Sequence, residues 1–348
     1  MAENHVLIIG QGLAGTVLSY RLTQRNIRHK VIDNNHKSAA TLAAAGIINP
    51  ITGRRYVKSW MIDELLPAAR RMYNSFENLL DVVLVSEHNI LRSFESIAEE
   101  NRWSDSTSRP GYNEYVVDAD IGDYAQILRK QKSYGEITQS LKVDVALLIK
   151  LYRQYLIDNN KLIDASFDFR SINEEGGYKL DGETYTKLVD CTGFTSAIKG
   201  PFSYLPFQPA KGESFIVSVD GTLPNKLLRD KIFIAPINEI SFWTGGGYEW
   251  NAKNDDPTSG FNTLWQEKLE NLLSVPFKIE SHLAGIRPSV KGRRPLLGQH
   301  PTLKNLYLFN GLGTKGTSLA PYWSHKMADL LEHGHSVPSE VNLSRFLN

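Results

Sequence analysis

The sequence "VLIIGQGLAGTVLSYRL", residues 6–22, places a glycine-rich turn between an apolar run and an amphipathic segment. Residues 5–9, of which 6–9 are apolar, are typical of a short parallel strand that is covered on both faces. Residues 16–24 predict a helix, because Leu18 and Leu22 lie one turn apart on the same helical face. The stretch therefore predicts the strand, turn and helix with which many α/β folds begin.

The three glycines of this turn have the spacing Gly-x-Gly-x-x-Gly. We expect Gly10 to make the tight turn, Gly12 to let the backbone approach a pyrophosphate, and Gly15 to let the helix pack closely on the strand. The phosphates would lie at the helix N-terminus, where free N–H groups and the helix dipole favour negative charge. A tight turn in any α/β protein can show the same spacing. Whether this turn binds a pyrophosphate therefore depends on the sequence that flanks it.

The segment "RHKVIDNN", residues 28–35, predicts a second short strand that ends at Asp33, 23 residues after Gly10. An acid at this distance is expected to bind the ribose hydroxyls of a dinucleotide. The alternative is that Asp33 is only a turn residue after a strand. Because the strand, glycines, helix and acid follow in the expected order, the sequence predicts a dinucleotide site.

Composition excludes several other classes of site and partner. The 348 residues carry 39 Lys and Arg against 38 Asp and Glu, a net charge of +1 that does not favour nucleic acid as a partner. The single cysteine, Cys191, allows neither a disulfide framework nor a cysteine-based zinc site, and the nine histidines are scattered, so we expect no metal. We find neither a signal peptide nor an apolar run long enough for a membrane span, and expect a cytoplasmic protein. The polar tail after Leu331 is expected to lie on the surface.

Two further segments favour a flavin over a nicotinamide. The run "TLAAAGIINP", residues 41–50, has small side chains followed by residues that break a helix, so its backbone can lie flat against a bulky ring system. The turn "GLGTKG", residues 311–316, follows a predicted strand and precedes a helix, which gives a second set of backbone donors. A short Ala-rich helix and a plain strand-to-helix turn are the respective alternatives.

The chain resembles the D-amino-acid-oxidase-type FAD-dependent oxidoreductases, which include glycine oxidase, sarcosine oxidase and the FAD half of the bifunctional tRNA methylaminomethyl-uridine enzyme. Besides the first turn and Asp33, the resemblance rests on segments in the family's order: "TLAAAGIINP" (41–50), "KVDVALLIKLYRQYL" (142–156), "VDCTG" (189–193), "PAKGESFIV" (209–217), "FIAPI" (233–237), "WTGGGYE" (243–249), "AGIRPSVKGRRPLLG" (284–298) and "GLGTKGTSLAP" (311–321). The Gly-Thr-Lys-Gly pattern is similar to that of the tRNA enzyme.

The resemblance implies a bound FAD with its pyrophosphate on the first turn, its ribose on Asp33 and its adenine near Phe169. We expect the attachment to be non-covalent, because the only cysteine belongs to the Cys191-Thr192-Gly193 segment. The residues that the resemblance assigns to the cofactor are Gly10, Gly12, Leu13, Ala14, Gly15, Asp33, Asn34, Ala40, Thr41, Ala44, Ala45, Gly46, Ile47, Phe169, Cys191, Thr192, Gly193, Gly311, Gly313, Thr314, Lys315 and Gly316.

The resemblance also implies a substrate site over the flavin. Arg287 matches the arginine that binds the substrate carboxylate in relatives, and a surface or structural ion pair is its alternative role. Tyr248 and Phe233 match pocket walls, and Lys315 and Arg54 are further substrate-binding candidates. The basic residues around these positions point to a small anionic substrate with more than one acidic group, although a solvated surface is the simpler interpretation for Arg55 and Lys58.

Two positions depart from the family pattern. Gly292 stands where relatives usually have an acid, and Thr314 stands where glycine oxidase has an arginine. These departures leave the substrate open. We therefore keep two alternatives beside the amine-oxidising enzyme: a tRNA wobble-uridine enzyme that removes a carboxymethyl group, and a flavin-binding protein without turnover. An NAD-binding scaffold is disfavoured by the two loops described above.

The fold class predicted is α/β, with a Rossmann-like FAD-binding domain on a parallel sheet and a second domain on an antiparallel sheet. The FAD-binding domain would comprise residues 1–80, 141–205 and 282–348. The substrate-binding domain would comprise residues 81–140 and 206–281, including the strands "SFIVSV" and "IFIAPI". The proposed activity is oxidation of the C–N bond of a small amino acid or secondary amine by hydride transfer to flavin, at a site between the two domains.

Overall fold

Two large β-sheets organise the chain in the computed structural model, which describes residues 5–35, 40–130, 132–173, 177–180, 182–250, 252 and 254–347. The strands in chain order are β1 (Val6–Ile9), β2 (His29–Asp33), β3 (Ile47–Ile48), β4 (Ile51–Thr52), β5 (Val57–Lys58), β6 (Val85–Ser93), β7 (Val116–Val117), β8 (Tyr134–Val143), β9 (Leu162–Asp164), β10 (Tyr178–Leu180), β11 (Glu183–Tyr185), β12 (Lys187–Asp190), β13 (Ala210–Val219), β14 (Leu227–Arg229), β15 (Phe233–Pro236), β16 (Ser241–Trp250), β17 (Phe277–Arg287), β18 (Leu296–Gln299) and β19 (Leu306–Asn310). The helices are α1 (Leu13–Gln24), α2 (Ile62–Leu80), α3 (Ile97–Thr107), α4 (Tyr124–Ile127), α5 (Val145–Asp158), α6 (Thr195–Ile198), α7 (Ser259–Leu272) and α8 (Gly316–His333).

The first sheet has the strand order β18-β19-β12-β1-β2-β9 and is parallel except for the β18–β19 pair. Strand β1 lies in the middle and is buried along its whole length. Val6 and Ile8 pack into the cluster that contains α1, α2, α5 and α8, whereas Leu7 and Ile9 pack into the cluster on the opposite face. This burial on both faces explains the uninterrupted apolar run that opens the sequence.

Helix α1 begins at Leu13 and not at residue 16, so the prediction was short by one turn at this end. The N-cap is Gly12, which means that the last part of the glycine-rich turn is already helical. The prediction for the C-terminal tail was also wrong in part. Val337 and Val341 are buried, and Asn342 pairs with Leu297 of β18, so the tail covers an edge of the first sheet.

The second sheet has nine strands in the order β17-β13-β16-β15-β14-β6-β8-β3, with β7 also paired to β8. All of its pairs are antiparallel except β14 with β6. Helix α7 covers part of one face, where Trp265 packs with Phe215 and Phe242 in a separate core. The mixed α/β class with one parallel and one antiparallel sheet is therefore confirmed.

The strands of the parallel sheet all fall within the three segments predicted for the FAD-binding domain. Most strands of the second sheet fall in the other two segments, but β3 comes from residues 1–80, and β8 and β17 run across the predicted boundaries at 141 and 282. The domain boundaries themselves stay a prediction. Across the described ranges, no helix has both the length and the apolar character needed to cross a membrane.

Candidate active site

A cavity of about 1930 Å³ lies between the carboxyl ends of the parallel strands and the second sheet. It brings together almost every residue that the sequence assigns to cofactor or substrate. Those lining it are Gly10, Gly12, Leu13, Ala14, Asp33, Asn34, Arg54, Ala40, Thr41, Ala44, Ala45, Gly46, Ile47, Phe169, Cys191, Thr192, Gly193, Phe233, Tyr248, Arg287, Gly311, Gly313, Thr314, Lys315 and Gly316. Gly15 alone among the assigned residues does not line it. Their roles as binding residues stay a prediction.

Gly10 and Gly15 are required by the packing of the protein itself. Gly10 has φ +98°, and a Cβ there would lie 2.9 Å from the carbonyl oxygen of Cys191. A Cβ on Gly15 would lie 1.9 Å from the carbonyl oxygen of Gly10. Gly15 therefore lets α1 pack against the turn after β1, which is the role that the sequence predicts for it.

Gly12 is different, because nothing in the surrounding protein requires a glycine there. Its φ of −72° suits any residue, and a Cβ would meet only Thr41 Oγ1, at 3.9 Å. The helix that starts after Gly12 has no side-chain cap, so its first N–H groups are left to a ligand. A cradle that a Cβ would fill, at an uncapped helix N-terminus, fits a pyrophosphate. These residues therefore fit FAD.

Asp33 lies beside this turn at the end of β2, and its carboxylate is held by three donors. Oδ2 accepts the backbone N–H of Gln11 at 2.8 Å, while Oδ1 accepts from the N–H of Asn35 at 2.7 Å and from Nη1 of Arg153 at 2.8 Å. A carboxylate has about four lone-pair positions, so one on Oδ2 remains for a ribose hydroxyl. Arg153 was not predicted, since its contact spans 120 residues and leaves no local signal.

The loop of small residues is fixed to the second sheet through one carbonyl. Ala43 O accepts hydrogen bonds from Ser214 Oγ at 3.0 Å and from Trp243 Nε1 at 3.1 Å. Gly46 has φ +68°, and a Cβ would lie 1.9 Å from the carbonyl oxygen of Val143. The glycine is thus explained by its approach to β8. Ala44 remains exposed toward the cavity.

Lys315 is the centre of a cationic region near the start of α8. Its Nζ donates to Ser59 Oγ at 3.2 Å and lies 3.4 Å from Thr52 Oγ1, and it has no carboxylate partner among the described residues. Burial, Arg294 and Arg293 together lower the pKa of Lys315. The Arg294 guanidinium stacks over the Trp60 ring at 4.1 Å. Such a region stabilises negative charge on a ligand next to it.

Arg287 stands at the end of β17, where its guanidinium crosses the neighbouring strand. Nη1 donates to Gly247 O at 2.9 Å, and the guanidinium lies 5.0 Å from the Tyr248 ring centroid. Burial lowers the pKa of this guanidinium, which remains charged at neutral pH. Within the described ranges no carboxylate pairs with Arg287. Arg287 therefore does not form the ion pair that was its alternative role with any residue that the structure describes.

Gly212 makes the position of Arg287 possible, and the sequence analysis missed it. A Cβ on Gly212 would lie 1.8 Å from Nη2 of Arg287. The motif "PAKGESFIV" was recognised, but only the packing of β13 against β17 brings the arginine diagonally across the strand onto Gly212. Two further arginines that line the cavity, Arg92 and Arg229, were also missed.

The remaining basic candidates divide between the cavity and the surface. Arg54 lines the cavity and is exposed, whereas Lys58 pairs with Asp63 at 2.6 Å outside it. Cys191 is buried next to Gly10, and burial raises the pKa of its thiol well above the usual range. Among the residues described, no group of three or more His, Cys, Asp or Glu side chains is placed to hold a metal ion.

Comparison with known proteins gives one family for almost the whole chain. The family described as FAD dependent oxidoreductase matches residues 5–330. The chain is 24% identical to the uncharacterized oxidoreductase YurR of Bacillus subtilis (strain 168), over 93% of this chain and 94% of YurR.

Two further similarities extend over nearly all of this chain. It is 22% identical to the tRNA 5-methylaminomethyl-2-thiouridine biosynthesis bifunctional protein MnmC of Hahella chejuensis (strain KCTC 2396), over 99% of this chain but only 59% of MnmC. The crystal structure of glycine oxidase from Geobacillus kaustophilus superposes with a TM-score of 0.81 at 19% identity, covering 98% of this chain and 99% of that protein. The latter similarity shows the fold.

Proposed function

The chain belongs to the family of FAD-dependent oxidoreductases, and on that premise we propose that it oxidises the C–N bond of a small, anionic amino acid or secondary amine. The observation that carries the proposal is the half-buried Arg287 guanidinium, which faces the same cavity as the Gly12 cradle and has no acidic partner among the described residues. An arginine in this state is suited to a bidentate contact with a substrate carboxylate. The similarity to a protein named glycine oxidase supports the substrate class.

The residues around Gly12 would hold the FAD pyrophosphate, Asp33 would accept from the adenosine ribose, and the Lys315 region would lie at the flavin. We propose non-covalent attachment, because the only cysteine is buried beside Gly10, at the pyrophosphate turn. Its raised pKa also disfavours the thiolate that a covalent bond would require. A cytoplasmic location stays a prediction.

Bound FAD would supply the two-electron acceptor for a hydride from the α C–H bond, and loss of that hydride together with the N–H proton would leave an imine that water can hydrolyse. The protein's task is orientation. Arg287 fixes the carboxylate, which limits where the α carbon can lie. The half-buried rings of Phe233 and Trp243 line the cavity and would give the substrate an apolar wall. We assign no general base.

The test is anaerobic titration of the FAD-loaded protein with a panel of amino acids and N-methyl amines, followed by the visible flavin absorbance. We expect a carboxylate-bearing amine to bleach the flavin, and Arg287→Met to raise the concentration required for half-bleaching. Arg109→Met is the matched control, since Arg109 is an exposed arginine on the surface. If dithionite bleaches the flavin and no amine does, the protein binds flavin without oxidising amines.

A tRNA wobble uridine is the second candidate substrate. It is supported by the similarity to MnmC along 99% of this chain and by the Gly-Thr-Lys-Gly turn at residues 313–316. The carboxymethylamino group of such a uridine would present the same carboxylate and secondary amine to Arg287. Addition of unfractionated tRNA to the titration distinguishes the two candidate substrates, because tRNA would bleach the flavin only if the protein oxidises a tRNA uridine.

A further inference from the structure

The wall of the cavity is far more cationic than the protein as a whole. Of the described residues that line it, ten are Lys or Arg and two, Asp33 and Glu213, are acidic, although the full chain has a net charge of +1. Both acids already have partners within the protein: Asp33 pairs with Arg153, and Glu213 pairs with His282 and Lys211. The excess positive charge exceeds what one pyrophosphate neutralises.

Part of this excess comes from a pair of arginines on adjacent strands. Arg92 of β6 and Arg229 of β14 are register partners in the parallel pairing, and both line the cavity. Two like charges held next to each other repel, and burial weakens the screening of that repulsion by solvent. Burial and the charge of Arg92 together lower the pKa of Arg229. An anion between the two guanidinium groups would relieve this repulsion.

Within the described part of the chain, no carboxylate pairs with either arginine. Asp230 follows Arg229 directly, but its carboxylate is bound by Lys132 Nζ at 2.8 Å and by Ser93 Oγ at 2.5 Å. The arginines themselves are held by weak contacts. Arg92 Nη1 donates to the carbonyl oxygen of Arg229 at 3.3 Å, and the Arg229 guanidinium lies 5.9 Å from the Phe233 ring centroid. Both groups thus retain most of their hydrogen-bonding capacity for a ligand.

The arginine pair lies close to Arg287. The Arg287 guanidinium contacts Gly247 of β16, and the Arg229 guanidinium lies over Phe233 of the neighbouring β15, whose register partner is Gly245. The two guanidinium groups therefore lie over adjacent strands, whose axes are about 5 Å apart. Tyr248, stacked under Arg287, also acts electrostatically on Arg229. A short aliphatic chain can bridge such a span.

We propose that Arg92 and Arg229 form a second anion subsite, and that the substrate is an amine with two acidic groups, one bound by Arg287 and the other by this pair. The second group is a carboxylate or a phosphate-type anion, since guanidinium groups bind both through paired hydrogen bonds. The substrate assignment rests on the proposed amine oxidation, whereas the anion subsite itself is tested without turnover.

The experiment measures binding of amine-free anions to the FAD-loaded protein by calorimetry at fixed ionic strength. The probes are acetate and propionate as monoanions, malonate, succinate and glutarate as dicarboxylates, and phosphonoacetate as the mixed anion. We expect at least one dianion to bind 10-fold or more tightly than the monocarboxylates. If a dicarboxylate binds more tightly than phosphonoacetate, the second acidic group of the substrate is a carboxylate. If phosphonoacetate binds more tightly, it is a phosphate-type anion.

Arg229→Met is expected to reduce the dianion-to-monoanion affinity ratio to about 3-fold or less, and Arg229→Lys to restore part of it. Arg109→Met, which removes an exposed arginine outside the cavity, is the matched control and should keep the wild-type ratio. A wild-type ratio near one overturns the proposal without any variant. A ratio that is high but equal in wild type and Arg229→Met also overturns it.

The two proposals fail separately. If dianions bind in an Arg229-dependent manner but no amine bleaches the flavin, the subsite stands and the proposed amine oxidation falls. If monocarboxylate amines bleach the flavin and dianions bind no more tightly than monoanions, the oxidation stands and the second subsite falls.

Discussion

The guanidinium of Arg287 lies directly above the α carbon of Gly212, so that a Cβ at residue 212 would come within 1.8 Å of Nη2. Gly212 is on β13, next to the strand that carries Arg287, and the arginine crosses it to reach the carbonyl oxygen of Gly247. The guanidinium that we propose as the carboxylate-binding group is therefore positioned by the absence of a side chain at Gly212 on the neighbouring strand.

Gly212→Ala should displace this guanidinium while leaving the fold intact, because an arginine side chain can move away from the new methyl group. We expect the binding free energy of the substrate carboxylate to weaken by ~2 kcal/mol. The KM of a carboxylate substrate should then rise about 30-fold. The measurement is steady-state kinetics, with Gly260→Ala as the control, since a Cβ at Gly260 meets no atom within 4 Å. An unchanged KM in Gly212→Ala would show that Arg287 does not bind substrate.

Gly12→Val should abolish FAD binding without unfolding the protein, because the space next to Gly12 belongs to the cavity. Gly15→Ala should behave in the opposite way. Its methyl group would overlap the carbonyl oxygen of Gly10, so we expect the free energy of unfolding to fall by ~2 kcal/mol or more. Flavin content after desalting and the thermal midpoint separate the two effects. A Gly12→Val protein that retains full FAD would contradict the assignment of the pyrophosphate.

Lys315→Met should make bound flavin harder to reduce, because it removes a half-buried cation that has no acidic partner in the described part of the chain. We expect the midpoint potential to fall by about 30 mV or more, which corresponds to ~1.4 kcal/mol for a two-electron couple. Dye-coupled reductive titration measures the potential. Lys278→Met removes an exposed lysine and should leave it unchanged. Equal potentials in both variants would place Lys315 away from the flavin.

The buried imidazole of His29 should make the free energy of unfolding depend on pH. Its Nδ1–H donates to the carbonyl oxygen of Ile27, its Nε2 accepts from Ser19 Oγ, and burial lowers its pKa from 6.5 to about 4. The unfolded chain therefore takes up a proton first as the pH falls. This contribution to stability is complete above pH 6.5 and is lost progressively as the pH falls to about 4, by about 3 kcal/mol in total.

His29→Gln lacks this titration, so its free energy of unfolding should fall less steeply between those pH values than that of the wild type. Urea denaturation at a series of pH values measures both slopes. His5 and His88 also have lowered pKa values and titrate in both proteins, so the difference between the slopes isolates His29. Parallel curves would mean that His29 is not neutral in the folded state.

The sequence by itself determined the fold class and the cofactor family. Local signals were sufficient for a dinucleotide site, because the apolar run, the glycine turn and the acid after β2 lie within one strand–helix–strand unit. The flavin followed from the two later loops and from the order of the motifs along the chain, which resembles that of the family. The turn at residues 311–316 and the end of β12 carry similar local signals, and both line the cavity, while their contact with the cofactor stays a prediction.

Only the tertiary structure decided which residues come together at the proposed substrate site. Arg92, Arg229 and Gly212 lie on three different strands, and their roles follow from sheet register, which pairs residues far apart in the chain. The ion pair of Asp33 with Arg153 could not be predicted for the same reason, since Arg153 lies on α5 and is distant from Asp33 in the chain. Periodicity and motif spacing report contacts within a segment, whereas charge without a partner becomes visible only when the segments are brought together.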